Sequence, residues 1–130
     1  MVQGGRVADA SPVIGVAQWW HGWSDTSYDV LAGALVAGHL IECSTYSTGS
    51  NFSGFDKYPI ESLLDLGLPI AEVDCHGQCI ITKPDGSNGI VTTETITAQL
   101  LYELQGNLYL NSDVVANLED VEIQQEAENR

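Results

Sequence analysis

The sequence predicts a mixed α/β domain in which helices cover a small sheet. Three observations predict it. A chain of 130 residues, 44% of them hydrophobic, holds one domain's worth of core. Apolar residues recur at helical spacing behind helix-start signals at Ser11-Pro12 and Thr92-Thr93. Between these, Pro69 to Asp74 and Gln78 to Lys83 read as two strands joined by Cys75-His76-Gly77. Gly77 there permits the positive φ of a tight turn.

In chain order, Ser11 is the expected N-cap and Pro12 the first helical residue, where a missing N–H costs nothing. That helix carries Val13, Val16, Ala17 and Trp20 on one face and stops at Gly22. A second helix opens at Asp25 or Ser27, with Tyr28, Leu31, Ala32 and Leu35 at the i, i+3, i+4, i+7 spacing. Gly33 inside it allows a close backbone approach. His39 to Cys43 then reads as a short buried strand, leading into the glycine-rich loop Thr48 to Phe55. Pro59 to Leu66 reads as a short helix ended by Gly67, and Pro84 to Gly89 as a loop. Thr92 or Thr93 caps the last helix, with Glu94 in its first turn and Ile96, Leu100, Leu101 and Leu104 as its apolar face. A final strand is expected at Val121 to Ile123. Residues 1–117 form the domain and 118–130 an acidic tail or edge strand.

The charge excludes whole classes of partner. Eighteen acids face four bases, a formal net of −14, which argues against nucleic acid and anionic membrane surfaces. An anionic substrate would depend on Arg6, Lys57, Lys83 or Arg130. The three cysteines give no secretory framework, residues 1–6 contain no apolar leader, and Val30 to Ile41 is too short to span a bilayer. A cytoplasmic protein is expected. A domain this size buries only about two-thirds of its unfolded surface, so a homo-oligomer or a partner subunit is expected too.

The densest chemistry lies around His39, Glu42 and Cys43, followed by Thr45, Thr48 and Asn51. On a strand, His39, Ile41 and Cys43 share one face and Glu42 takes the other. An acid at the end of an apolar strand is expensive to bury unpaired. Glu42 therefore reads either as a general acid/base or as a carboxylate capping a helix or bonding Arg6. Arg6 and Asp9 read as substrate contacts at a helix start or as a salt bridge with a cap. Thr48 and Asn51 read as holders of a substrate oxygen or as turn formers.

Cys75 and Cys79 form a lone Cys-x3-Cys with no second pair. A zinc site takes about four ligands, so a solvent-facing turn is expected there, and no metal. Trp19, Trp20 and Trp23 lie within five residues around His21 and suit an apolar wall or a subunit interface. No phosphate-loop lysine, dinucleotide glycine pattern or nucleophile elbow occurs. No cofactor is expected.

Several segments resemble one family: Gly5-Arg6-Val7-Ala8-Asp9-Ala10-Ser11, Trp20-His21-Gly22-Trp23 and Leu35 through Cys43. Leu68-Pro69-Ile70-Ala71-Glu72, Thr93 through Gly106, and Tyr109-Leu110-Asn111 with Asp113 continue it. Together they are similar to the acyclic terpene utilisation (AtuA-like) family, as an interior portion of a larger domain. The sequence departs from the family pattern at Ser50, between Gly49 and Asn51, and in the loop Pro84 to Gly89. The resemblance implies an apolar, branched, terpenoid-like substrate bearing a carbonyl. Residue types imply proton transfer of the isomerase, hydratase, cyclase or lyase kind. Glu42, His39 and Asp9 are the expected catalytic residues, and Arg6, Trp20, Trp23, Thr48 and Asn51 the expected substrate contacts. The competing expectation is a non-catalytic subunit or oligomeric interaction module.

Overall fold

The computed structural model describes residues 4–130; the leader reading of residues 1–3 lies outside them. The described residues fold as a small mixed α/β domain of three α-helices and two antiparallel two-stranded sheets. Helix α1 (Ser11–His21) and helix α2 (Tyr28–Glu42) form a helical hairpin. Strands β1 (Ile70–Val73) and β2 (Cys79–Thr82) pair, with Ile70 opposite Thr82 and Val73 opposite Cys79. Helix α3 (Thr93–Leu101) follows, then the second pair, β3 (Leu108–Leu110) with β4 (Val115–Asn117). Instead of one sheet under helices, two hairpins pack on a central helix.

That central helix is α2, and it replaces the strand expected at His39 to Cys43. Leu31, Ala34, Leu35 and Gly38 set a three-to-four-residue rhythm that His39 and Glu42 continue. The rhythm is masked because the second half of α2 is buried on nearly every side, from Ala37 through Leu40. A fully buried helix and a fully buried strand carry the same short apolar run. Two glycines let neighbours reach its backbone. A Cβ on Gly33 would collide with the Gly77 carbonyl at the tip of the β1–β2 turn, and one on Gly38 with the Ala10 carbonyl ahead of α1.

Around α2 the core divides in two. Ile14 and Ala17 of α1 meet Leu31, Ala34 and Leu35 of α2 and Val114 and Ala116 of the β3–β4 hairpin. On another side, Leu40 joins Ile81, Val91, Ile96 and Leu100. Helix α1 starts one residue earlier than expected, with Ala10 as N-cap, and its Ser11 hydroxyl instead bonds the Asn111 amide at 3.3 Å. Gly22 ends α1 in the left-handed conformation, as expected. The buried face is Ile14 and Ala17, and the expected face fails at Val16 and Trp20, which are exposed. Helix α3 opens on a capping box between Thr92 and Thr95. Its buried face holds Ile96 and Leu100 but also Thr95 and Gln99, while Leu101 is exposed. Pro59 to Leu66 shortens to a single 3-10 turn, Ile60–Leu63.

Val121 to Ile123 forms no strand. The acidic C-terminal segment is nevertheless tied down. Asn129 accepts from the Val91 N–H at 3.0 Å and Gln125 from the Thr93 N–H at 3.2 Å. Arg130 grips both carboxylate oxygens of Glu72 at 3.0 and 2.7 Å.

Candidate functional site

Because α2 continues through Glu42, His39 and Glu42 are i, i+3 neighbours on one helical face. On the expected strand they would have pointed apart. His39 Nδ1 lies 3.2 Å from Glu42 Oε1, with the side chains 2% and 7% exposed. The other ring nitrogen, Nε2, lies 3.1 Å from the Leu100 carbonyl, which can only accept. Nε2 therefore carries a hydrogen and donates it. One further proton is shared between Nδ1 and the carboxylate. Burial pulls the His39 pKa down, but the hydrogen bond and charge of Glu42, with the Leu100 and Gln99 backbone, outweigh it and leave the value raised. Below that raised value the arrangement is imidazolium beside carboxylate.

Two elements, α3 and β3, converge on this end of α2. Gln99 of α3 donates its amide to the His39 carbonyl at 2.8 Å, fixing the last turn of α2 against α3. Tyr109 of β3 sets its ring 4.8 Å from the His39 ring at an interplanar angle of 59°. Burial, followed by the negative charges of Glu42, Asp9 and Glu103, pushes the Tyr109 phenol up to about 12. It stays a neutral O–H at any physiological pH. Burial also raises the Cys43 thiol; Gln99 opposes that by hydrogen bonding, and Glu42, Glu103 and Asp9 add to it. Cys43 is therefore held as a thiol and not a nucleophilic thiolate. Among the described residues, two buried side-chain polar atoms have no hydrogen-bond partner: Glu42 Oε2 and Gln99 Oε1. In a fold that otherwise pairs its interior polar groups, such atoms call for a functional account.

The structure pairs Glu42 with His39; Asp9 is exposed, and its charge reaches Tyr109 and Cys43. The other expected contacts fall elsewhere. Arg6 is exposed and pairs with neither Asp9 nor Glu42. Thr48 is fully buried, and its hydroxyl bonds the Gly67 carbonyl at 2.7 Å and the Thr45 carbonyl at 3.0 Å, tying two loops together. Asn51 is exposed on its loop. Trp23 donates its indole N–H to the Cys75 carbonyl at 3.2 Å and stacks on His21, whose Nε2 lies 3.0 Å from the Val73 carbonyl. Both pin the β1–β2 hairpin to the end of α1 away from Ala10. Trp20 stands 73% exposed beside Trp19. The Cys75 to Cys79 turn is closed by Asp74, which accepts from the His76 and Gln78 N–H groups at 2.8 and 2.9 Å. Among the described residues no three His, Cys, Asp or Glu side chains group in a way that suits a metal ion. Nor is any helix among them long and apolar enough to cross a membrane.

Sequence reasoning missed Gln99 and Tyr109. Gln99 had a signal: it sits three residues after Ile96, a polar side chain on an otherwise buried face of α3. Tyr109 had none, since nothing local says that β3 folds back onto α2.

Fold and site together define a small α/β domain with a buried, proton-sharing His–Glu pair at the end of its central helix. The model of the family described as acyclic terpene utilisation family protein AtuA matches residues 1–130, the whole chain. The chain belongs to that family. Comparison with curated proteins and with solved structures finds no match.

Proposed function

We propose that the chain is a small-molecule enzyme domain that moves a proton on an apolar, branched, carbonyl-bearing substrate of the acyclic terpenoid class, without a redox cofactor. The observation that carries this reading is the free Glu42 Oε2. His39 holds Oε1, which keeps the carboxylate oriented and stabilises its charge, while Oε2 has no internal partner. A carboxylate held in one orientation can act as general base toward a C–H placed against its free oxygen. Glu42 takes the proton next to the carbonyl on Oε2; its return to the same carbon is hydrogen exchange, and its delivery to a conjugated carbon is isomerisation. The same transfer coupled to bond cleavage or closure gives the lyase or cyclase outcome. The neutral Tyr109 phenol is the nearby O–H donor suited to a carbonyl oxygen. The family's description, acyclic terpene utilisation, supports this choice of substrate class.

The test is deuterium incorporation from heavy water into an acyclic branched unsaturated aldehyde, followed by NMR. The wild-type chain exchanges the proton next to the carbonyl, and Glu42→Gln loses exchange while keeping its fold. Full retention in Glu42→Gln overturns the assignment.

One observation favours a second reading, an oligomeric interaction module. Helix α1 carries no Asp, Glu, Lys or Arg, and its outer face shows Val16, Trp19 and Trp20 at 66, 77 and 73% exposure. If that face associates, Trp19→Ser with Trp20→Ser shifts the sedimentation coefficient to that of a monomer. Under the enzyme reading, the same variant keeps exchange.

A further inference from the structure

We propose that the outer face of α1 pairs with the same helix of a second copy of this chain, antiparallel about a two-fold axis between Gly15 and Val16. The proposal rests on the association reading of that face and adds its partner and register. Pro12, Gly15, Val16 and Trp19 recur at i, i+3, i+4 and i+7. All four are exposed, while Ile14 and Ala17 on the opposite side are buried. They make one apolar stripe along the outside of an 11-residue helix. Trp20 flanks the stripe, its ring 6.2 Å from that of Trp19.

Shape selects a second copy as the occupant. A two-fold interface must supply both knob and hole from one surface, and this stripe does. In the antiparallel register Trp19 lies across from the partner's Pro12, and Val16 from the partner's Gly15, so each large side chain meets a small or flat one. A Cβ built on Gly15 meets nothing within 4 Å, which leaves that space open to the partner's Val16 and lets the helix axes approach closely. Parallel pairing would instead set Trp19 on Trp19 and leave one Gly15 over the other. The largely exposed Trp19 and Trp20 offer about 350 Å² between them. Two copies thus bury about 700 Å² through these rings alone, more than half of the about 1,200 Å² at which stable specific interfaces begin.

Charge selects the same arrangement. With a formal net of −14, two copies repel wherever acids face acids, and α1 itself carries no Asp, Glu, Lys or Arg. Arg6 lies ahead of the helix, exposed, and among the described residues it makes no ion pair, whereas Lys57 and Arg130 do. Asp25 lies past the other end, also exposed. Antiparallel pairing brings each Arg6 toward the partner's Asp25, once on either side of the two-fold. Asp9 shares the end that holds Arg6, and the register sets it against the partner's uncharged Gly22.

The experiment follows the full chain by sedimentation equilibrium across about 5–500 µM, a range that brackets the affinity of a small interface. The wild type is expected to form a dimer. Gly15→Glu places a charge at the two-fold and weakens the dimer at least about tenfold. That variant keeps its fold, because the space around Gly15 is open and Glu is the better helix former. Register is read by isotope-filtered NMR on a mixture of labelled and unlabelled chain, where the Trp19 ring is expected to contact the partner's Pro12. A wild type that stays monomeric at every concentration overturns the proposal together with the association reading, and leaves the face to a different polypeptide. A dimer abolished by Trp19→Ser with Trp20→Ser but untouched by Gly15→Glu overturns the proposal while the association reading stands. Intermolecular contacts that run from Trp19 to Trp19, or that lie away from α1, overturn it as well.

Discussion

Replacing Glu42 by Gln keeps the shape of the side chain and removes only its charge, so its effect on stability must depend on pH in a defined direction. In the wild type, His39 has a raised pKa in the folded state, with burial opposing and Glu42 prevailing. A raised histidine adds stability that is fully present below the unfolded value of about 6.5 and is lost as pH rises through the folded value. In Glu42→Gln the charge that raised it is gone and burial remains, so His39 folds as the neutral ring and its contribution reverses. Stability then falls as pH drops through about 6.5. The variant also exchanges a charge-assisted hydrogen bond for a neutral one, with both side chains almost fully buried at 2% and 7% exposure, a loss of about 1–2 kcal/mol. Each unit by which the two folded-state values differ adds about 1.4 kcal/mol at the acid end of the window. Urea unfolding at intervals from pH 6 to pH 8.5 measures the difference directly, and the background of acids that the two proteins share cancels between them. The difference should be largest near pH 6 and shrink toward pH 8.5. A difference that is constant across this range, or that grows with pH, refutes the shared-proton account.

Three further expectations concern the frame that holds the pair. Gly77 has φ +78°, and an added Cβ would lie 2.7 Å from the Val30 Cα, so Gly77→Ala should destabilise by at least about 2 kcal/mol in urea unfolding. Thr48→Val removes the donor to two carbonyls at a position with no exposure and should lower unfolding free energy by about 1–3 kcal/mol. Thr92→Ala removes half of the capping box of α3; a loss of about 1 kcal/mol is expected by thermal or urea unfolding, with faster amide exchange in the first turn of α3.

Much of the frame was legible in the sequence, because local rules set it. Gly22, the Thr92 cap and the glycine turn at Gly77 each act on neighbours within a few residues, and each stands where the sequence put it. The end of α2 was not legible, since burial on nearly every side erases the helical period that would have separated it from a strand. That single ambiguity hid the site. Glu42 and His39 were both visible as candidates, yet a strand places them on opposite faces and a helix places them together. Gln99 reaches His39 across 60 residues of chain, a contact no local pattern encodes. Strands β3 and β4 are three residues each, too short for alternation to register.

The central claim is that His39 and Glu42 hold one proton between them. Nitrogen-15 NMR of the imidazole signals, with His39 assigned by its loss in His39→Gln, tests it most directly. The account predicts that His39 carries hydrogens on both ring nitrogens at neutral pH, titrates above the ordinary histidine value, and becomes neutral there in Glu42→Gln. A His39 that is already a neutral ring at pH 6 in the wild type contradicts it.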